Sequence, residues 1–187
     1  MKHVSIDLEV MGNGINGLLL AIGAVEFNIN TGEVIGDPFH CNVDIQSSIE
    51  NDGKFNGSTV KWWLTQSDEA RAALFFPEPI HIHHALFQFG CWLRDLEAGE
   101  EPNSTIVWGN GIRSDNVWLA GAYERAGLDC PFEFWQDGDV RSLVLLGRAA
   151  GINPKNETPF KGSPHNPVDD AIHQARYLSK IWRHFIK

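Results

Sequence analysis

The residues from His3 to Val10 alternate between polar and apolar side chains, which constrains the start of the chain to a β-strand. One face of this strand is apolar and consists of Val4, Ile6, Leu8 and Val10, whereas the other carries Ser5, Asp7 and Glu9. A strand covered on both faces is normally apolar on both, so two acids on one face require a partner or water. Two positions along a strand separate side chains by about 6.6 Å, which lets both carboxylates bind one or two divalent ions. The alternative is a half-buried strand whose acidic face is simply exposed to solvent.

The segments that follow predict more extended structure and then helices. After the glycine-rich GNGING, the segments LLLAIGAVEFNI and EVIGDPFHCNV have strand composition and are separated by the turn Asn30-Thr31-Gly32. Ser58 or Thr59 can cap a short helix through Leu64, and Ser67 can cap a helix that begins DEARAAL. A helical pattern covers Pro79 to Glu97.

The second half of the chain alternates between strand and helix patterns. The predicted elements are a strand at Thr105–Trp108, a helix from the capping run Ser114-Asp115-Asn116 through Ala126, a strand at Phe132–Trp135, a helix at Asp139–Ala150, a loop at 152–164 and a last helix. The last helix has an apolar stripe at steps of three and four residues, made of Val168, Ala171, Ile172, Ala175, Leu178, Trp182 and Phe185. This order predicts an α/β fold with a central mixed β-sheet flanked by α-helices, in which the first strand is central.

Size and charge restrict the class of protein. With 187 residues, 43% of them hydrophobic, the chain fits one globular domain over residues 1–187. A formal net charge of -9 argues against broad electrostatic capture of duplex nucleic acid, which depends on a basic face. Metal ions bound to carboxylates could supply the positive charge that a phosphodiesterase needs.

The cysteines and the first residues predict a cytoplasmic protein. Cys41, Cys91 and Cys130 lie far apart and form neither a disulfide set nor a zinc-like pair. The start MKHVSIDLEV has acids where a signal peptide would be apolar, and no apolar run approaches the roughly 20 residues that span a bilayer. We therefore expect no membrane association.

The run HNPVDDA opens the last helix with a second group of titratable side chains. Asn166 and Pro167 suit the cap and first position of a helix, and Asp169, three residues after the cap, can act like the acid of a capping box. Asp170 has less local reason to be acidic. A histidine at position 165 and an acid five residues later can place a general base beside a metal ligand.

Three motifs in order resemble those of one enzyme class. They are IDLEV with Asp7 and Glu9, GNGIRSDNVWL with Asp115, and HNPVDDA with His165 and Asp170. This set resembles the DEDDh class of exonucleases, in the DnaQ-like branch of the ribonuclease H-like fold. LLLAIGAVEFNINTGEV also resembles the second strand of that family, so the similarity covers nearly the whole chain. TVKWWLTQ and DVRSL resemble a bacterial and phage subgroup that includes a mycobacterial-type exoribonuclease, exoribonuclease AS, and exonuclease VIII-like proteins.

The resemblance implies metal-dependent 3′-to-5′ exonuclease activity that releases nucleoside 5′-monophosphates from single-stranded DNA or RNA. It implies two Mg²⁺ or Mn²⁺ ions, with Asp7 bridging both, Glu9 and Asp170 completing one site and Asp115 holding the second ion. His165 would take the proton of the attacking water, a role suited to an imidazole. Relatives often form homodimers, so a homodimer is expected from resemblance, while the choice between DNA and RNA stays open.

Beyond Glu9, four side chains are further candidates for substrate contacts. Trp62 and Trp63 could stack on a terminal base, or one could face the core and the other the cleft. Asn110 could touch substrate, although a turn between two glycines favours a structural role. Arg141 could meet a phosphate, although a structural ion pair with Asp139 is the simpler interpretation.

Three other interpretations compete with the nuclease. His81, His83 and His84 suggest zinc but lack a fourth ligand at suitable spacing, so solvent-exposed histidines are favoured. GNGING matches the dinucleotide fingerprint of NAD-binding oxidoreductases, yet a strand-like segment follows it where that fingerprint needs a helix. A catalytically silent nucleic-acid-binding domain of the same fold is the third alternative.

Overall fold

A computed structural model describes residues 1–99, 104–111 and 113–186 of the chain. It contains five strands: β1 (Lys2–Val10), β2 (Leu19–Phe27), β3 (Val34–Asn42), β4 (Thr105–Gly109) and β5 (Asp137–Asp139). The α-helices are α1 (Ile45–Glu50), α2 (Gly57–Leu64), α3 (Asp68–Ala73), α4 (Ile82–Leu96), α5 (Asp115–Ala126), α6 (Val140–Ala149), α7 (Pro154–Glu157) and α8 (Pro167–Phe185), and a 3₁₀ turn covers Phe134–Gln136.

The five strands form one mixed sheet in the order β3-β2-β1-β4-β5. β1 is antiparallel to β2 and parallel to β4, and β5 continues the sheet parallel to β4. The predicted mixed sheet, and the predicted central position of the first strand, are therefore confirmed.

Helices cover both faces of the sheet. Because apolar and polar side chains alternate along β1, its apolar side chains lie on one face and its acidic side chains on the other. The apolar face of β1, with Val4, Ile6 and Leu8, packs against α4 and α5. The opposite face of the sheet packs its second core against α6 and α8, where Val25, Phe27 and Trp108 meet Ala171, Ala175 and Leu178. The acidic face of β1 thus looks toward α8.

A glycine in β2 lets the start of α8 come close to the sheet. Gly23 pairs with Asp7 across the β1–β2 ladder. A Cβ added at Gly23 would lie 2.3 Å from the carbonyl carbon of Pro167, so only glycine permits this approach. Asn166 caps α8 by accepting hydrogen bonds from the N–H groups of Val168 and Asp169, as the sequence predicts.

Several predicted boundaries are wrong. The strand predicted at 132–135 is not formed: a 3₁₀ turn covers Phe134–Gln136, and the strand β5 follows it. Phe134 and Trp135 are exposed, and the Glu133 N–H donates to the side chain of Gln136. The cap of α2 is Asn56, which precedes Ser58 and Thr59. The helix predicted from residue 79 begins at Ile82, and the predicted loop 152–164 contains α7.

In the ranges that the structure describes, no helix is both long enough and apolar enough to cross a bilayer. Cys41, Cys91 and Cys130 are all unpaired, in agreement with the expectation that they form no disulfide set.

Candidate active site

The carboxylates of β1 meet the start of α8 on one face of the sheet. Glu9 is buried, and its carboxylate, the His165 ring and the Asp170 carboxylate each offer a ligand atom within 4.8 Å of the other two. Asp7 lies two residues before Glu9 on the same face, opposite Gly23. Residues 156 positions or more apart in the sequence are thereby brought into one cluster.

Asp115 reaches the same cluster from the first turn of α5. The parallel ladder between β1 and β4 ends at the pair Ser5 and Trp108, so the N–H of Leu8 is left for another acceptor. Asp115 Oδ1 accepts that N–H at 3.2 Å, and its Oδ2 accepts the N–H of Asn110 at 2.8 Å. The Asp115 carboxylate is therefore fixed against the backbone that separates Asp7 from Glu9.

His165 is held by the loop that precedes α8. Its backbone has a φ of 65°, the left-handed region that costs a residue with a side chain about 1–2 kcal/mol. Asp170 Oδ2 accepts the His165 N–H at 2.9 Å, which stabilises this turn and ties the histidine to the acid five residues later. The two residues of the late motif are thus linked through the backbone.

The cluster contains four carboxylates: Glu9 and Asp115 are buried, and Asp7 and Asp170 are partly exposed. Burial raises the pKa of Asp7 well above its ordinary value, and the neighbouring carboxylates raise it further. Burial, together with the charges of Asp170 and Asp115, raises the pKa of Glu9 to about 9. Burial also raises the pKa of Asp115 and of Asp170, although backbone hydrogen bonds oppose the shift in both.

This crowding fits a divalent metal site. Like charges in a buried cluster are unfavourable unless they are protonated or a cation neutralises them. Carboxylate oxygens are the ligands that Mg²⁺ and Mn²⁺ prefer, and a histidine nitrogen lies beside them. The donor set and the unrelieved negative charge both suit such ions.

Gln174 is a member of the site that the sequence motifs did not reveal. It is buried on α8, one turn after Asp170, and its Nε2 donates to Asp7 Oδ1 at 2.7 Å. This hydrogen bond lowers the pKa of Asp7, against the effects of burial and of the other acids. The sequence feature that could have indicated this role is that Gln174 is a polar residue beside Ala171 and Ala175, which belong to the apolar stripe of the last helix.

The two adjacent tryptophans have different surroundings. Trp63 is 3% exposed, and its Nε1 donates to the carbonyl oxygen of Val10 at 3.0 Å, so it belongs to the core at the end of β1. Trp62 is 42% exposed and packs edge to face against the His165 ring, with ring centres 4.9 Å apart. Trp62 therefore faces the cleft and Trp63 faces the protein interior.

Arg141 and Asn110 support the Asp115 side of the site. Arg141 Nη2 donates to the Asn110 carbonyl oxygen at 3.0 Å, and the Asn110 N–H in turn holds Asp115. The predicted ion pair between Asp139 and Arg141 is wrong, because Asp139 caps α6 and accepts from the Arg141 N–H and the Ser142 hydroxyl. The guanidinium of Arg141 points to the loop before α5 instead.

The Asp169 side chain has a different partner from that of Asp170. Its Oδ2 accepts the Ser163 N–H at 2.8 Å, so it ties down the loop before α8. The predicted capping-box role is wrong in detail, because the Asn166 N–H donates to the Ser163 carbonyl oxygen and not to Asp169. Asp169 is still a structural residue of the helix start.

The histidines that suggested a zinc site and the GNGING segment that suggested dinucleotide binding have structural roles. His81 caps α4 by accepting the His83 N–H at 3.3 Å, and His81, His83 and His84 are all exposed. The stretch after β1 leads through turns into β2, which begins at Leu19. No helix N-terminus follows GNGING, so the dinucleotide interpretation fails in this described part of the chain.

Comparison of the sequence with known families decides the class. Residues 2–182 match the family described as the 3′-5′ exoribonuclease Rv2179c-like domain. The chain belongs to the 3′-5′ exoribonuclease Rv2179c-like family. It is accordingly an enzyme, a 3′-5′ exonuclease. A search among curated proteins gave no significant match.

Solved structures of low sequence identity support the fold of this exoribonuclease-like chain. The nuclease domain of 3′hExo, a DEDDh family member bound to rAMP, is 14% identical with a TM-score of 0.64, and the match covers 98% of this chain and 92% of that one. Cell-death related nuclease 4 is 12% identical with a TM-score of 0.65, over 98% and 64% of the two chains. E. coli exonuclease I, solved with a dA16 oligonucleotide, is 14% identical with a TM-score of 0.57, over 93% and 39%. The predicted ribonuclease H-like fold is confirmed.

Proposed function

We propose that this exonuclease shortens single-stranded RNA from its 3′ end and releases nucleoside 5′-monophosphates, with single-stranded DNA as the second candidate polymer. The observation that carries the proposal is the convergence of Asp7, Glu9, Asp115, His165 and Asp170 on one face of β1. RNA comes first because the family description names an exoribonuclease. We also propose that residues 1–187 form a single exonuclease domain. The homodimer and the membership of the bacterial and phage subgroup stay predictions from resemblance.

We assign the four carboxylates to two Mg²⁺ or Mn²⁺ ions. Asp7 is central in the cluster and would contact both, Glu9 and Asp170 would hold one, and Asp115 would hold the other directly or through water. When bound, two such ions supply positive charge against the attacking and leaving oxygens of phosphodiester hydrolysis. The raised pKa of Glu9 and the burial of Asp115 support this assignment, because both carboxylates gain from a neighbouring cation.

His165 is the proposed general base. It lies beside Glu9 and Asp170, within reach of a water held at the carboxylates. The left-handed turn and the edge contact with Trp62 restrict where the ring can point. Gln174 keeps one oxygen of Asp7 turned toward α8, which leaves the other oxygen for ligand binding.

The exposed face of Trp62 is the proposed platform for the terminal base. Stacking of a base on an aromatic ring is worth about 1–3 kcal/mol and is tolerant of sequence. Trp62 touches the His165 ring, so a base stacked on it would place the adjoining phosphate near the carboxylates. Trp63, which is buried, supports Trp62 from behind through an edge contact with ring centres 5.1 Å apart.

The test uses single-stranded RNA and DNA of one sequence, each labelled at its 5′ end. Incubation with Mg²⁺ or Mn²⁺ is expected to give a ladder that shortens from the 3′ end, with nucleoside 5′-monophosphates as products. EDTA or the substitution Asp7→Asn is expected to abolish the ladder. A wild-type protein that binds RNA without shortening it in either metal would favour the silent binding domain and refute the proposal.

A further inference from the structure

The charge of the chain is divided very unevenly along its length. Residues 140–187 contain eight lysines and arginines against three aspartates and glutamates, whereas residues 1–139 contain seven against 21. Two of the three acidic residues in this segment already have partners near the start of α8. Asp169 contacts the loop before α8, and Asp170 belongs to the active site. The elements that cover the active-site face of the sheet are therefore basic in an otherwise acidic protein.

Three of these basic side chains form a row that begins at the active site. Arg141 lies two hydrogen bonds from Asp115, through the backbone of Asn110. Arg148 follows seven residues later on α6, which is two helical turns and about 10 Å along the same side. Lys155 follows on α7, with its Nζ 5.9 Å from the centre of the Tyr177 ring. We call Arg141, Arg148 and Lys155 the basic strip.

The members of the basic strip are close together and are not neutralised by acids. Burial lowers the pKa of Lys155, and the positive charges of Arg141 and Arg148 lower it further. The ion pairs found among the described residues involve Lys2, Lys54 and Arg71, none of which belongs to the strip. Arg141 and Arg148 are exposed, and Lys155 is partly exposed. These cations are therefore accessible to solvent and available to bind an anion.

A cavity lies beside Arg141, at the start of the strip. It has a volume of about 370 Å³ and is lined by Arg113, Arg141 and Leu145, among others, next to Ser114 at the cap of α5. Asp115 directly follows Ser114, so this cavity opens beside the ligand that we assign to the second ion. An anion bound in this cavity would contact Arg141, the member of the strip that is nearest to Asp115 along the hydrogen bonds.

We propose that the basic strip binds the phosphate backbone of the single-stranded polynucleotide upstream of its 3′ end. This inference rests on the proposed function, since it extends the same site along its substrate. A regular row of cations suits a polymer with one negative charge per nucleotide, and phosphate contacts of this kind position a strand without reading its sequence. The strip would allow a protein of net charge -9 to retain long substrates.

The test measures how binding of a single-stranded oligoadenylate of about 20 nucleotides depends on salt. Binding to wild type, Arg148→Gln and Lys155→Gln is measured in EDTA, so hydrolysis plays no part. Each substitution is expected to weaken binding about threefold to tenfold at low salt and to reduce the slope of log K against log salt by about 0.7. Arg94→Gln is the matched control, because Arg94 is an exposed arginine on α4, on the opposite face of the sheet.

A second measurement uses a dinucleotide, which has a single internucleotide phosphate and can therefore make fewer contacts with the strip than the long oligoadenylate. In Mn²⁺, both variants are expected to raise the KM for the long oligoadenylate by a larger factor than the KM for the dinucleotide. The strip would be overturned if the slope of log K against log salt were unchanged in both variants. It would also be overturned if Arg94→Gln weakened oligoadenylate binding as much as Arg148→Gln and Lys155→Gln do. Either result would favour another partner for this face. Absence of nuclease activity in wild type would instead overturn the proposed function, while the binding measurement in EDTA would still report on the strip.

Discussion

The crowding of carboxylates on β1 predicts that the metal-free protein loses stability as the pH rises. The pKa of Glu9 is raised from 4.5 to about 9 in the folded protein. Between those values the folded protein keeps a proton that the unfolded chain has released, so the free energy of unfolding must fall with increasing pH. A raised carboxyl pKa therefore contributes its full stabilisation only below the unfolded value, and the contribution is lost as the pH rises through the folded value.

The expected change in the free energy of unfolding follows from the titration of a single carboxyl group. Each pH unit is worth about 1.4 kcal/mol per proton of difference, so the change from about pH 6.5 to about pH 8.5 is about 3 kcal/mol from Glu9 alone. Asp7, whose pKa is also raised, acts in the same direction. A bound divalent ion should reverse the trend, because metal binding favours the deprotonated carboxylates and releases their protons.

The assay is urea unfolding in EDTA across this pH range, with Glu9→Gln as the matched control. Glutamine has nearly the same shape and cannot ionise, so titrations of groups outside the carboxylate cluster cancel when the two proteins are compared. The variant is expected to gain about 3 kcal/mol relative to wild type between the two pH values. A difference between the two proteins that is independent of pH would refute the reasoning from burial and like charge.

Three further predictions concern single side chains. Asp7→Asn and His165→Ala should each abolish hydrolysis of labelled RNA, but only Asp7→Asn should also remove the rise in Tm that Mn²⁺ causes; equal Tm responses would contradict the separate roles. Gln174→Met should raise the Mn²⁺ concentration needed for half-maximal activity by about tenfold, because Asp7 loses the hydrogen bond that orients it, whereas Gln174→Glu, which adds a negative charge beside the ions, should not raise it. Trp63→Ala should cost about 3–5 kcal/mol of unfolding free energy, whereas Trp62→Ala should leave stability nearly unchanged and raise the KM for RNA; the reverse pattern in urea unfolding and steady-state kinetics would show that the two rings are wrongly assigned.

The sequence predicts the parts of the fold that depend on local pattern. Alternation at β1, the capping pair Asn166 and Pro167, and the apolar stripe of α8 each depend on neighbouring residues, and the structure agrees with all three. The five residues of the motifs lie in the predicted elements, and the fold places them at one location.

The errors arise where distant contacts override local preference. The strand β5 has the sequence Asp-Gly-Asp, which disfavours strands, yet it pairs with β4 from Val107 to Gly109. Gly138 is required because a Cβ there would lie 2.5 Å from the ring of Trp108. Such a strand is determined by its partner and cannot be read from its own residues.

The supporting contacts of the site were hidden for the same reason. Gln174 reaches Asp7 across a sequence separation of 167 residues, and Arg141 reaches the Asn110 carbonyl oxygen across 31. The expected pair of Arg141 with Asp139 assumed that close neighbours interact. Asp139 is instead occupied by the cap of α6, which frees the guanidinium to bind the loop before α5.

Calorimetric titration of Mn²⁺ into the wild-type protein and into Asp7→Asn, in the presence of adenosine 5′-monophosphate, tests the metal site most directly. Two ions per chain are expected for the wild type, with release of protons that decreases as the pH approaches about 9, where Glu9 is already ionised, and little binding is expected for Asp7→Asn. Equal stoichiometry and affinity in the two proteins would contradict the claim that the clustered carboxylates of β1, α5 and α8 form the catalytic metal site.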